Sequence, residues 1–271
     1  MTKTWNQRRE FLIFDSVLNL RIASFNVRFG TADDGIHVWK LRRSHCLQTI
    51  KNLNAEIICL QEPLHFQILE ISEFLPSYSV SGVGRDDGVK GGEFCPVFFR
   101  KDQFRLLEES TIWLSYESLI PGSKFPNANH PRIATITDFI HIQSNTQFRV
   151  VNTHWDNELD SAKEFSGELV RKMVLQVQFP CLLAGDFNAE LSHLGIQSLG
   201  LRDSREFLKL PRRATYHDYG RANHEEIDHI LFSPHWHPVK YEVIESNNGN
   251  IFASDHFPIV VDLELRPPQT A

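Results

Sequence analysis

Strand-like and helix-like segments alternate at both ends of this chain, with a run of extended segments between, and few folds satisfy that order. Residues 20–29 predict a strand. Residues 38–53, with Trp39, Cys46, Ile50 and Leu53 on one face, have helical spacing. A short, nearly all-apolar strand over 56–61 and a second helix over 63–74 follow. Residues 78–83, 94–100, 133–141 and 148–154 then read as extended. A helix over 158–178, with Pro180 beyond its end, leads into a buried strand over 181–184. Strands over 227–232, 239–244 and 257–263 finish the pattern. An α/β fold of two packed mixed sheets flanked by helices, a four-layer sandwich, buries the apolar face of every such element.

No repeat, low-complexity stretch or Pro/Gly-rich linker divides the 271 residues. We therefore expect an N-terminal extension over 1–19, one domain over 20–265 and a short tail over 266–271. The net charge of −6 gives no general attraction for a polyanion, and no basic tract is present. Cys46, Cys59, Cys95 and Cys181 are widely spaced with no Cys-x-x-Cys pair, which argues against a zinc ribbon. No secretory signal or membrane-span-length apolar run is evident, so a reduced, intracellular, cytoplasmic setting is expected. No protein partner is inferable.

Chemistry-bearing side chains fall at the ends of the expected strands, where burying them is costly. Glu62, between a buried strand and Pro63, suits a hard cation such as Mg²⁺ or Mn²⁺; it equally suits a helix start, where the dipole favours an acid. In Gly185-Asp186-Phe187-Asn188 the glycine is expected to let the chain turn. Asp186 suits a general base and Asn188 a donor to a phosphoryl oxygen, although an Asx turn gives the same pattern. His256, in Ser254-Asp255-His256, invites a carboxylate that fixes its tautomer, and Asp228 is the candidate. Alternation along a strand then turns Asp255 elsewhere, toward a metal. His154 offers a second imidazole for phosphate.

Six motifs in order, Ser24-Phe25-Asn26, Leu60-Gln61-Glu62, Asn152-Thr153-His154, Gly185-Asp186-Phe187-Asn188, Ile227-Asp228-His229 and Ser254-Asp255-His256, resemble the endonuclease/exonuclease/phosphatase superfamily over residues 20–265. The resemblance implies a DNase I-like fold and metal-dependent, in-line attack of water on a phosphoester. It implies a metal site of Asn26, Glu62 and Asp255, and catalytic roles for His154, Asp186, Asn188, Asp228 and His256. Abasic-site repair members carry an aspartate two residues after the asparagine, where this chain has Arg28. Together with His154, that places the chain nearer the deadenylase and sphingomyelinase-like branches.

The leading expectation is a nuclease acting on RNA, single-stranded RNA included, or on another nucleotide, in a 3′-5′ exonucleolytic manner. The alternative is a small inositol, sugar or lipid phosphoester. Asn26, Arg85, Glu93, His154 and Asn188 are the candidate substrate contacts. Arg85 and Glu93 lie in a glycine-rich, charged segment that reads either as a hairpin tip or as a phosphate-contacting loop. Trp113 and Trp155 suit core packing better than base stacking, and His224, His229, His235 and His237 fit no zinc spacing.

Overall fold

A computed structural model describes residues 17–175, 177–221, 225–245, 247–249 and 251–265. His224, the expected tail and residues 1–16 of the expected extension lie outside them. Strand β1 (Leu18–Asn26) leads through helix α1 (Trp39–Asn52) to β2 (Ile57–Gln61), then α2 (His65–Phe74), β3 (Tyr78–Ser81) and β4 (Val97–Arg100). The second half contains β5 (Phe104–Trp113), β6 (Ile133–His141), β7 (Thr146–His154), α3 (Asp160–Leu175) and β8 (Cys181–Asp186). After α4 (Leu194–Ser198), β9 (Arg202–Asp203) and α5 (Ser204–Phe207) come β10 (Asp228–Phe232), β11 (Trp236–Val243), the hairpin β12 (Asn247–Asn248) and β13 (Ile251–Phe252), and β14 (Ile259–Leu265).

Two six-stranded sheets form, ordered β11-β14-β1-β2-β4-β3 and β5-β6-β7-β8-β10-β9. Each mixes parallel and antiparallel pairs: β1 runs parallel to β2, and β7 parallel to β8. Ile22, Ile57 and Phe99 from one sheet share a buried cluster with Phe148, Leu182 and Phe232 from the other, so the sheets pack face to face. The outer face of the first sheet, with Phe25 and Ile58, packs on Trp39 and Ile50 of α1 and Ile71 of α2. The outer face of the second, with Val151 and Leu183, packs on Val170 of α3 and Ile196 of α4. Each large side chain buried this way contributes about 1.5–3 kcal/mol.

The inner faces change character toward one end of the sandwich. Leu20 and Ile22 give way to Ser24 and Asn26 along β1, and Ile57 and Cys59 to Gln61 along β2. Phe148 and Val150 give way to Asn152 and His154 along β7, and Leu182 and Ala184 to Asp186 along β8. The amides tie the sheets together: Gln61 Nε2 donates to Asn152 Oδ1 (2.7 Å), and Asn152 Nδ2 donates to the carbonyls of Leu60 (2.7 Å) and Pro96 (2.8 Å). This polar layer separates the dry core from the site.

Several elements differ from the sequence-based expectation. Strand β1 starts two residues inside the expected extension, α3 starts at Asp160, β11 starts at Trp236, and β14 starts at Ile259. The ten-residue β5 was not anticipated: it is a sheet edge whose middle, Leu107 to Ser110, faces solvent and lacks alternation. Gly185 does not turn the chain. It sits inside β8 beside Thr153, where a Cβ would lie 2.2 Å from the Thr153 carbonyl oxygen. Gly185→Ala is therefore expected to destabilise the fold by about 1–3 kcal/mol through overpacking. Urea unfolding would show a lowered midpoint, and an unchanged midpoint would contradict this account.

Candidate active site

Three strands end in residues with left-handed backbone: Arg28 (φ 57°) beyond β1, Glu62 (φ 70°) beyond β2 and Asn188 (φ 47°) beyond β8. Such conformations are unfavourable for non-glycine residues, and they accumulate where a loop must aim a side chain. The turn expected at Gly185 is thus made at Asn188.

Register places His154, Asp186 and Asp228 side by side on β7, β8 and β10. Asp186 is the hub. Its Oδ1 accepts from the Asn188 backbone N–H (2.9 Å), and its Oδ2 accepts from Asn26 Nδ2 (2.9 Å). The same Oδ2 lies 3.5 Å from His154 Nε2 and 3.7 Å from His256 Nε2. His256 Nδ1 lies 2.9 Å from Asp228 Oδ2, the pairing expected from the sequence. Asn188 Nδ2 donates to the Trp155 carbonyl (3.0 Å).

Glu62 occupies the other wall. Its Oε1 accepts from Asn26 Nδ2 (3.0 Å) and its Oε2 from the Phe29 N–H (3.0 Å). Asn26 therefore bridges Glu62 and Asp186, while its own oxygen accepts from the Arg28 N–H (2.9 Å). Glu93 Oε2 pairs with Arg85 Nη1 (2.5 Å) and lies 3.9 Å from His154 Nδ1. Arg85 is held from behind: Trp113, buried as expected for a core residue, donates its indole N–H to the Arg85 carbonyl (2.6 Å). Asp255 turns away from Asp228 toward Arg28, with Arg28 Nε 3.7 Å away, and accepts from Ser254 Oγ (3.0 Å).

Burial sets the electrostatics. It pushes the Asp186 carboxyl up to about 7, helped by Asp228 and opposed by His256. Burial disfavours the His256 imidazolium, yet Asp228 and Asp186 outweigh it and raise the group to about 10. Burial, with Arg132 and Arg85 nearby, holds His154 well below the usual histidine range, so its ring is neutral. Glu93 is pushed up to about 7 by burial and by Glu62, against the pull of Arg85.

Among the described residues, two groups could hold a cation: Glu62, Glu93 and His154, and Asp186, Asp228 and His256, the ligand atoms of each lying within 4.8 Å of one another. The second already carries an imidazolium between its carboxylates. In the first, Glu62 disfavours the charge of Glu93 and the imidazole is neutral, a set that a hard divalent cation fits. Asn26 supports that group by hydrogen bond, whereas Asp255 belongs to neither.

Glu62, Glu93, His154, Asp186, Asp255 and His256 line a pocket of about 330 Å³, with Asn26 and Asp228 behind its wall. Its walls include residues that sequence reasoning missed: Phe29, His130, Arg132, Asn157, Tyr216, Glu225 and Ile227. Tyr216 packs its ring 5.0 Å from that of His256 and bridges the backbones of Glu225 and His256. Its segment has no periodicity that could have revealed it. Trp155 is fully buried against Phe187, and His229 faces away from the site, with Nε2 3.0 Å from the Ala189 carbonyl. None of the described histidines of the 229–237 region joins a metal-ligand group.

The sequence profile of the Endonuclease/Exonuclease/phosphatase family matches residues 23–256. The structure of an endonuclease/exonuclease/phosphatase from Bacteroides vulgatus is 30% identical, with TM-score 0.87, covering 92% of this chain and 100% of that one. A mannosyl-6-phosphatase of Bacteroides thetaiotaomicron is also 30% identical, with TM-score 0.82, over 90% of this chain and 99% of that one. The CCR4-Not complex 3′-5′-exoribonuclease subunit Ccr4 of Kluyveromyces lactis is 22% identical over 71% of this chain, which spans 28% of that protein's length. Among the described residues, no helix is long and apolar enough to cross a membrane. With the profile spanning residues of both sheets and every residue of the pocket wall inside the matched span, this chain belongs to the endonuclease/exonuclease/phosphatase family, whose members are hydrolytic phosphoesterases.

Proposed function

We propose that this chain hydrolyses a small, hydroxyl-rich phosphoester of the sugar-phosphate class. The observation that carries this is the pocket wall beyond Asp186 and His256. Glu93, His130, Asn157, Tyr216 and Glu225 are donors and acceptors for hydroxyl groups, and Phe29 and Ile227 are its apolar members. A single-strand nucleic-acid site instead needs successive aromatic platforms and a basic track, and the net charge is −6. The likeness to a mannosyl-6-phosphatase supports the same reading. The likeness to Ccr4 favours a second one, a 3′-5′ exoribonuclease.

Asp186 takes a proton from the attacking water, and Asn188 steadies a phosphoryl oxygen. His256, protonated and oriented by Asp228, balances the charge that develops on phosphorus, while neutral His154 contacts the phosphate. Glu62, backed by Asn26, would hold a divalent cation, which supplies Lewis-acid polarisation of the phosphoryl oxygen. Turnover should rise with pH through about 7, as Asp186 loses its proton, and fall above about 10, as His256 loses its own. A kcat/KM profile flat from pH 6 to 8 would contradict the assignment of the base.

A panel of hexose phosphates, inositol phosphates, oligo(A) and single-stranded DNA, assayed with Mg²⁺, tests the substrate class. Hexose phosphates should turn over at least about 100-fold faster than either oligonucleotide is shortened, a margin the hydrogen-bonding wall can supply. Shortening of oligo(A) with hexose phosphates untouched would establish the exoribonuclease reading instead.

A further inference from the structure

Three arginines are buried among the described residues: Arg42, Arg85 and Arg132. Arg42 donates to four backbone carbonyls, those of Val27, Arg28, His37 and Ala253. Arg85 pairs with Glu93. Arg132 has no such compensation. Its Nη1 lies 3.2 and 3.1 Å from the two ring nitrogens of His154, its Nη2 donates to Asn157 Oδ1 (2.9 Å), and its Nε has no hydrogen-bond partner. Neither an imidazole nor an amide brings the negative charge that would balance a guanidinium. Glu93 feels its charge but is already paired with Arg85, and a guanidinium that is 8% exposed and makes no salt bridge among the described residues is costly, unless a ligand brings the counter-charge. Arg132 lines the pocket, so a bound substrate can do so.

We propose that Arg132 selects a dianionic phosphomonoester over a phosphodiester. A monoester carries three unesterified oxygens and a charge of about −1.5 to −2 at neutral pH. A diester has one free oxygen fewer and a single charge. The extra oxygen and charge are what the Arg132 fork recognises, from the His154 side of the pocket, opposite the Asp228–His256 pair. Hydrolysis forms one P–O bond from water and breaks the P–O bond to the alcohol. Asp186 passes the proton it removes from water to solvent and the departing alkoxide takes one from solvent, so the products are alcohol and inorganic phosphate. This inference rests on the pocket being a phosphoester site and not on the alcohol being a sugar.

The test compares p-nitrophenyl phosphate with methyl p-nitrophenyl phosphate, which share a leaving group, in the wild type, Arg132→Gln and Arg132→Lys at saturating Mg²⁺. The wild type should favour the monoester in kcat/KM. Arg132→Gln should reduce the monoester-to-diester ratio at least about tenfold, the loss expected for a charge-assisted fork, and Arg132→Lys should restore part of it. In a binding readout independent of turnover, inorganic phosphate should raise the wild-type Tm, and Arg132→Gln should lose that rise. If Arg132→Gln does not fold, the ratio and the phosphate shift are read on Arg132→Lys, where both should be reduced but present. A wild type that favours the diester, a ratio unchanged by substitution, or a phosphate shift that survives Arg132→Gln would overturn the proposal. Monoester selectivity through Arg132 with no turnover of hexose phosphates would sink the sugar-phosphate reading alone.

Discussion

Asp186→Asn is expected to lower kcat by about 10³-fold while leaving the protein folded, because it removes a general base without changing shape. Asp186 meets Asn26, His154, His256 and the Asn188 amide within 3.7 Å, and the neighbouring Asp228 carboxylate is engaged by His256 and so is not free to take over. Asparagine retains the acceptor for the Asn188 N–H and removes a carboxylate that burial already disfavours, but its NH2 takes the place of the oxygen that accepts from Asn26 Nδ2. Circular dichroism should therefore resemble the wild type with at most a modest fall in the urea midpoint, and the loss should fall on kcat rather than KM. A variant within threefold of wild-type turnover would remove Asp186 from the mechanism.

His256→Ala should cost about 10²–10³-fold in kcat, the range typical of losing one preorganised donor at a developing charge. The pH profile separates this from a packing effect. The wild type should decline above about 10, where His256 deprotonates, and the variant should lack that limb. Asp228→Asn, which keeps the hydrogen-bond geometry but withdraws the charge, should move the same limb to lower pH. An alkaline limb that persists in His256→Ala would assign it to another group.

Much of this was legible in the residues. The strand-helix-strand halves follow from apolar spacing, and the six strand-end motifs pointed to His256 beside Asp228; the two side chains lie 2.9 Å apart. The sandwich places polar residues of both sheets at one end because β1, β2, β7 and β8 all run from apolar to polar on their inner faces. What the sequence hid was long-range. Arg132 and Tyr216 reach the pocket from segments without periodicity, and nothing local marks them as facing His154 or His256. Gly185 read as a turn because a glycine before Asp-x-Asn commonly is one; its reason is the backbone of Thr153, a residue 32 positions earlier on a parallel strand. Edge strand β5 lacked alternation because its middle is solvated on both faces.

The central claim is that a cation held at Glu62 works with Asp186 and His256 on one phosphoester. It is tested most directly by titrating Mg²⁺ into the chelated wild type and Glu62→Gln while following hydrolysis of p-nitrophenyl phosphate. Chelation should abolish turnover, and Mg²⁺ should restore it. Glu62→Gln should need at least about tenfold more Mg²⁺, since it loses an anionic oxygen ligand for a hard cation. Turnover that survives chelation, or an identical Mg²⁺ dependence in the two proteins, would contradict the account.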